Sequence, residues 1–293
     1  MTLLICAVNE LGHPASLLDS ARSIFANASF IATDVDGRLA ITDADADKVW
    51  IVSPDGEAAF CLEAEFHHPH GVAFDDESRI LVADRKGHSI RVFDRHGAHL
   101  RDFGPQDGGS TFGPLGIAIA PDGTILVAED SGGRVQAFDP DGVSRWIHAG
   151  FGCPSALAVD AKHNTLWVAD WTRDTVTGFE FVDAEHLRPS HTLTGFWRPH
   201  GLAVDSRGLL HVSDGKGYYI YERVRDDDGT DVYLRILEDP RFKSPPFASG
   251  IAEAKNGSIL VCHGPRVAVV PPMQLAERSP ETNASCFACG VLH

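Results

Sequence analysis

Val72 to Asp84 reads VAFDDESRILVAD, and Leu202 to Asp214 reads LAVDSRGLLHVSD. Both open on a short apolar run, pass through a polar turn, and return through a second apolar run that ends at an acidic residue. Alternating apolar residues around a tight polar turn mark a β-hairpin. The same grammar recurs in Ile117 to Glu129 (IAIAPDGTILVAE), Leu157 to Asp170 (LAVDAKHNTLWVAD), Ile31 to Asp43 (IATDVDGRLAITD) and Ile251 to His263 (IAEAKNGSILVCH). After the acidic residue come a polar loop, a third run such as Ser89-Ile90-Arg91-Val92-Phe93, a second turn such as Arg95-His96-Gly97, and a fourth run such as Ala98 to Phe103. Each unit therefore predicts four strands.

The anchors Ile31, Val72, Ile117, Leu157, Leu202 and Ile251 lie 41, 45, 40, 45 and 49 residues apart. Six four-stranded units at this period predict an all-β chain folded as a six-bladed β-propeller. One blade cannot bury both of its faces, whereas six stacked around an axis can. The expected organisation is a propeller over 1–272, with blades at about 28–65, 66–111, 112–150, 151–195, 196–246 and 247–272, and a surface tail at 273–293. The sixth blade shows three runs, so Thr2 to Val8 is expected to supply its fourth strand, with Ser23 to Phe25 as the alternative. Residues 14–26 also carry helical spacing at Leu17, Leu18, Ala21 and Ile24.

The chain has 293 residues, 25 Lys+Arg against 41 Asp+Glu, and a net charge of −16. That balance opposes nucleic-acid binding and attraction to an anionic membrane surface. No apolar run reaches the length of a spanning helix, and no Lys or Arg precedes Arg22, so neither a membrane span nor a secretory leader is expected. With scattered cysteines and no leader, the expectation is a cytoplasmic protein with reduced thiols. Cys286 and Cys289 with His293 make half a metal site in the tail. No phosphate-cradling glycine loop and no Gly-x-Ser-x-Gly elbow is present. Oligomeric state is not legible.

In a four-stranded blade the first strand lines the channel, and the loop leaving the second strand opens on the same face. Two rings then converge at one channel mouth, the default place for a site. The residues two before each anchor are Ser29, His70, Leu115, Ser155, His200 and Ser249. The residues ending the second strands are Asp43, Asp84, Glu129, Asp170, Asp214 and His263. His70 and His200 fall three blades apart, facing each other over the channel. Two imidazoles, with His263 as a third nitrogen, suit a divalent metal. His67 and His68 stand just upstream. Arg85 could hold a carboxylate, and Tyr218 or Tyr219 could act as acid, base or wall. Trp171, Trp197 and Arg198 are expected to line the entrance. Cys262 is expected to pack between blades, which argues against a Cys–His nucleophile.

The units resemble NHL repeats over roughly residues 28–272, most closely in Pro-His-Gly-Val-Ala-Phe-Asp at 69–75, Leu-Val-Ala-Asp at 81–84, Ile-Arg-Val-Phe-Asp at 90–94 and Pro-His-Gly-Leu-Ala-Val-Asp at 199–205. That resemblance implies that the recurring acids bond the backbone of the next loop as part of the fold. The Pro-His-Gly turns and the run Val82-Ala83-Asp84-Arg85 also resemble the peptidyl-hydroxyglycine α-amidating lyase family. That resemblance implies zinc held by His70 and His200 at the propeller centre. The function expected is a metal-dependent lyase or hydrolase acting on a small polar molecule in the channel. The alternative is a propeller that binds a protein or small ligand without catalysis. A gluconolactonase-like calcium site, which needs Glu, Asn and Asp at the mouth, ranks lower because the two rings contain no Asn.

Overall fold

A computed structural model of the chain describes residues 25–54, 58–105, 112–183, 186–226, 228–243 and 248–272. Blade one is β1 (Ala28–Thr33), β2 (Leu39–Asp43), β3 (Lys48–Val52) and β4 (Ala59–Cys61). Blade two is β5 (Pro69–Phe74), β6 (Ile80–Asp84), β7 (Ser89–Phe93) and β8 (His99–Phe103). Blade three is β9 (Pro114–Ile119), β10 (Ile125–Glu129), β11 (Arg134–Phe138) and β12 (Ser144–Ala149). Blade four is β13 (Pro154–Asp160), β14 (Thr165–Asp170), β15 (Thr175–Phe181) and β16 (Leu187–Leu193). Blade five is β17 (Gly201–Val204), β18 (Leu210–Ser213), β19 (Tyr218–Arg225) and β20 (Asp231–Asp239). Blade six is β21 (Ala248–Glu253), β22 (Ile259–His263) and β23 (Arg266–Val270). Every sheet is an antiparallel meander in chain order.

The hairpin between first and second strands turns through one left-handed residue in each blade. These are Gly37, Ser78, Gly123, Asn164, Gly208 and Gly257, with φ between 51° and 91°. Glycine takes this conformation without steric cost, which is why four of the six turns use it.

The first strands pack side by side around the axis: β1 lies against β5 and β21, β5 against β9, β9 against β13, β13 against β17, and β17 against β21. The ring is thus closed by β1 on β21. The Ala28 N–H also donates to the Gly264 carbonyl at 2.8 Å, tying blade one to blade six. The expected closing strand Thr2–Val8 and most of the helical stretch 14–26 lie outside the described residues, as does the 273–293 tail with Cys286, Cys289 and His293. Phe25, at the end of the alternative closing segment, is not in a strand and packs edge-on against Trp50 at 6.3 Å.

Apolar side chains fill the seams between blades. One cluster joins blades two and three, another three and four, another five and six, and another six and one. The largest holds both the one–two and four–five seams and reaches across the axis through Phe30 and its surroundings. Trp167, Phe93 and Phe138 are fully buried there and in the neighbouring seam. Each such side chain stabilises the fold by roughly 1.5–3 kcal/mol relative to exposure.

Glycine at the position before the anchor lets neighbouring first strands touch backbone to backbone. A Cβ on Gly250 would stand 2.8 Å from the Ser29 carbonyl oxygen, and one on Gly116 2.9 Å from the Ala156 Cα. Hydroxyls complete the belt. Thr42 donates to the His70 carbonyl at 2.6 Å, Ser155 to the Pro199 carbonyl at 2.7 Å, and Ser249 to the Ala28 carbonyl at 3.2 Å. Among the described residues no helix is long and apolar enough to cross a membrane.

Candidate active site at the channel mouth

The first strands are irregular where they enter the channel. In blade two the register runs from Pro69 opposite Asp84 to Val72 opposite Val82, so His70 and Gly71 sit in a bulge. Bulges re-aim side chains, and this one turns the His70 ring toward the axis. In blade five the His200 N–H donates to the Ser213 carbonyl at 2.9 Å, which places His200 at the equivalent point.

The structure brings His70 and His200 together, with ring centroids 6.1 Å apart. His68 joins them: its Nδ1 lies 3.0 Å from His70 Nε2, and the two rings stack at 4.8 Å. Phe30 closes the group, with its ring 5.9 Å from His70 and 5.4 Å from His200. Phe30 is the residue that sequence reasoning missed. The signal was present, because the position before the anchor reads Phe30, Gly71, Gly116, Ala156, Gly201 and Gly250. Five small residues and one phenyl ring make the exception. Behind Phe30 the channel is a cavity of about 250 Å³ walled by the anchors Ile31, Val72, Ile117, Leu157, Leu202 and Ile251.

Electrostatics keep these imidazoles neutral. Burial pushes His200 down to about 4, with help from the Arg85 charge. Burial, His200, His68, Arg85 and Lys86 hold His70 well below the ordinary imidazole range. Burial and the charges of Lys86 and Arg85 lower His68, partly offset by Asp45 and Asp47. The Nδ1 atoms of both His70 and His200 are buried without a hydrogen-bond partner. An unsatisfied buried polar atom costs about 1–3 kcal/mol, and native folds keep few of them. Neutral imidazoles with uncommitted nitrogens can take a proton from water or from a substrate carbon.

The two turns that carry the pair are built alike. The His67 N–H donates to Asp84 at 2.7 Å, and the Trp197 N–H to Asp214 at 2.7 Å. The His68 N–H donates to Asp47 at 2.6 Å, and the Arg198 N–H to Asp174 at 2.7 Å. His68 and Arg198 both stand at positive φ, 60° and 57°. That conformation costs a bulky side chain about 1–2 kcal/mol and persists where surrounding bonds impose it.

Most acids of the ring hold backbone N–H groups as expected, whereas Glu129 takes the Ser131 hydroxyl and the Arg134 guanidinium. Asp43 accepts the Ala26 and Asn27 N–H groups, and Asp170 those of Gly152 and Cys153. Asp214 accepts three backbone N–H groups, those of Trp197, Lys216 and Gly217.

Several expected site residues lie elsewhere. His263 packs edge-on against Phe242 at 5.1 Å, in the seam of blades five and six. No group of three or more His, Cys, Asp or Glu among the described residues is arranged to hold a metal ion. Tyr218 is fully buried, its hydroxyl 2.6 Å from His211 Nδ1, and His211 Nε2 is 3.2 Å from Asp205. Tyr219 is buried in the four–five seam beside Phe196, and burial, followed by the charges of Asp214 and Glu238, pushes its phenol up. Successive strand residues point to opposite faces, so β19 sends the two tyrosines into the two seams flanking its blade. Tyr218 is committed to His211, whereas the Tyr219 hydroxyl reaches the loop Asp214–Gly217 and bonds Asp214 of the acid ring. Arg85 holds a carboxylate, but it is Asp130 of blade three, gripped through Nε and a terminal nitrogen.

Trp171, Trp197 and Arg198 do meet. The Arg198 guanidinium lies 4.4 Å from the Trp171 ring centroid and 5.4 Å from that of Trp197. Cys153 lies nearby, its thiol pushed up to about 11 by burial and by Asp130 and Asp170. Cys262 is fully buried in the seam of blades six and one, where burial raises its thiol far from a reactive range.

Comparison with known proteins agrees with this architecture. The NHL repeat model matches residues 66–93, the second blade. No curated protein matches the chain in sequence. A gluconolactonase from Xanthomonas campestris is 21% identical with a TM-score of 0.63, over 88% of this chain and 91% of that one. A putative gluconolactonase is 15% identical with a TM-score of 0.66, over 88% and 97%. A virginiamycin B lyase from Staphylococcus aureus, solved with quinupristin, is 14% identical with a TM-score of 0.60, over 89% and 88%. At these identities the likeness is one of fold. The six sheets around one axis and the closed ring of first strands make this chain a six-bladed β-propeller, and its second blade matches the NHL repeat.

Proposed function

We propose that the chain is a lyase or hydrolase that works on a small polar substrate at the mouth of its channel, with His70 and His200 as the acid–base pair. One observation carries this reading. Two imidazoles from opposite turns face each other 6.1 Å apart, both kept neutral, each with a buried nitrogen that the fold leaves unpaired. One ring takes the proton, from water in a hydrolysis or from carbon in an elimination, becomes the imidazolium and gives that same proton to the leaving group, while the second neutral ring orients the substrate through its N–H. General acid–base catalysis of this kind contributes about 10²–10⁴-fold. His68, bonded to His70, orients that ring. Phe30 beneath the pair keeps water out of the channel and lowers the local dielectric. Arg85 and Lys86, whose charges reach His70, favour negative charge developing on the substrate. The fold relatives include a gluconolactonase and a virginiamycin B lyase by name, which is compatible with either branch.

The test is a screen of small lactones, esters and β-substituted acids with the purified chain and with a His70→Ala/His200→Ala double variant. Each is assayed with and without chelator and added zinc. Turnover that vanishes in the folded double variant and survives chelation supports a metal-free pair. Turnover lost on chelation and restored by zinc returns the metal to the pair. Ligand binding with no turnover of any compound moves the chain to the non-catalytic reading.

A further inference from the structure

Arg198 is placed as a receptor. Its guanidinium is stacked 4.4 Å from the Trp171 ring centroid, with Trp197 5.4 Å away on the same group. Other arginines at the mouth are paired: Arg85 with Asp130 and Arg173 with Asp170. Among the described residues no carboxylate lies within ion-pair distance of Arg198, although the chain carries a net charge of −16. The acid one would expect to neutralise it, Asp174, instead accepts the Arg198 backbone N–H at 2.7 Å. That bond fixes the left-handed backbone from which the side chain rises. A guanidinium stacked on an indole keeps its in-plane N–H fork open at the edge, and the fork matches a carboxylate bidentately. Stacking also removes side-chain freedom before a ligand arrives, so less is lost on binding.

The position fits a substrate anchored there and reacting at the pair. Arg198 is two residues before His200, so their Cα atoms are at most about 7 Å apart. The Lys86 charge, which reaches His70, adds to Arg198 in drawing anions into a mouth on an otherwise acidic molecule. Phe30 floors the mouth and limits depth.

We propose that Arg198, stacked on Trp171 and flanked by Trp197, binds the carboxylate of the substrate, so that the substrate class is a small carboxylic acid whose reactive bond lies over His70 and His200. The proposal rests on the function proposed above for its reactive half, while its binding half stands by itself.

The experiment titrates phenylacetate and butyrate, and their amides as uncharged controls, into the full chain by calorimetry and by tryptophan fluorescence. Arg198→Gln, Arg198→Lys and Trp171→Phe are measured alongside, with thermal melts to establish folding. The expected result is binding of the acids at least about tenfold tighter than of the amides. Arg198→Gln should remove that preference, and Arg198→Lys, which keeps the charge but loses the fork and the stack, should keep only part of it. Acids that bind no better than amides, acids that fail to bind, or a preference undiminished in Arg198→Gln would overturn the proposal. If Arg198→Gln does not fold, the Lys variant decides, since an undiminished preference there contradicts a bidentate receptor. Loss of the preference in a chain that turns over no carboxylic acid derivative sinks the enzyme reading and leaves the receptor. Turnover of uncharged substrates that is unaffected by Arg198→Gln does the reverse.

Discussion

The turns His67-His68-Pro69-His70-Gly71 and Trp197-Arg198-Pro199-His200-Gly201 share a backbone and differ in cargo. Both are held by an acid from their own blade, Asp84 or Asp214, and by one from the blade before, Asp47 or Asp174. Both force a bulky residue to positive φ just before proline. In blade two that residue is His68, which turns inward onto His70. In blade five it is Arg198, which turns onto Trp171 at the rim. One scaffold therefore delivers two matched histidines to the axis and two unlike neighbours beside them. Symmetric parts build the pair, and the asymmetric parts divide the work between orienting His70 and meeting the ligand.

Breaking the scaffold should have the largest effect. Asp214→Ala strands three backbone donors in a buried turn and should cost about 3 kcal/mol or more in denaturant unfolding. A loss below about 1 kcal/mol would mean the carboxylate does not hold the turn.

Acid should weaken blade five through the chain Asp205–His211–Tyr218. Burial tends to raise Asp205, but hydrogen bonds from His211, the Leu209 N–H and Arg207 override it and hold the carboxyl at about 2. The unfolded carboxylate titrates near 3.8. The resulting stabilisation is present above pH 4 and lost as pH falls through 2, and it amounts to about 2 kcal/mol. Melts of Asp205→Asn against the parent chain between pH 2 and 6 check this, and a gap that fails to narrow in acid contradicts it.

The acid limb of activity sharpens the comparison at the pair. With His200 held down to about 4, and His70 low beside His68, Arg85 and Lys86, the base stays unprotonated well into acid. The limb of kcat/KM should therefore fall below the ordinary imidazole value of 6.5. An inflection at or above 6.5 means that the rings are solvated.

The smallest effect concerns the strained residue itself. His68→Gly removes a left-handed side chain, a gain of about 1 kcal/mol, and removes the stack on His70. The variant should melt no lower than the parent and turn over more slowly, with the loss in kcat rather than KM. Unchanged kcat would show that His68 does not orient His70.

The propeller was legible because its grammar repeats through six units, and the anchors found in sequence are the residues that wall the channel. The histidine pair was legible from its spacing around the axis. Phe30 was overlooked because the position before the anchor was not aligned, although five small residues there expose the exception. Tyr218 and Tyr219 follow the mouth loop directly, but strand alternation sends them into opposite seams, and only Tyr219 is bonded to Asp214 of the acid ring. The Arg85–Asp130 pair joins adjacent blades, a contact that spacing within one blade does not reveal. His263 occupies the place of a fold acid and meets Phe242 edge-on in the seam of blades five and six.

The central claim is that His70 and His200 act together. The direct measurement is kcat/KM for His70→Gln, His200→Gln and the double variant on one substrate from the screen, with folding established by thermal melts. The account predicts that each single variant loses at least about 100-fold and that the double loses little more, as expected for groups acting as a unit. Either single variant retaining parental kcat/KM while folded would contradict it.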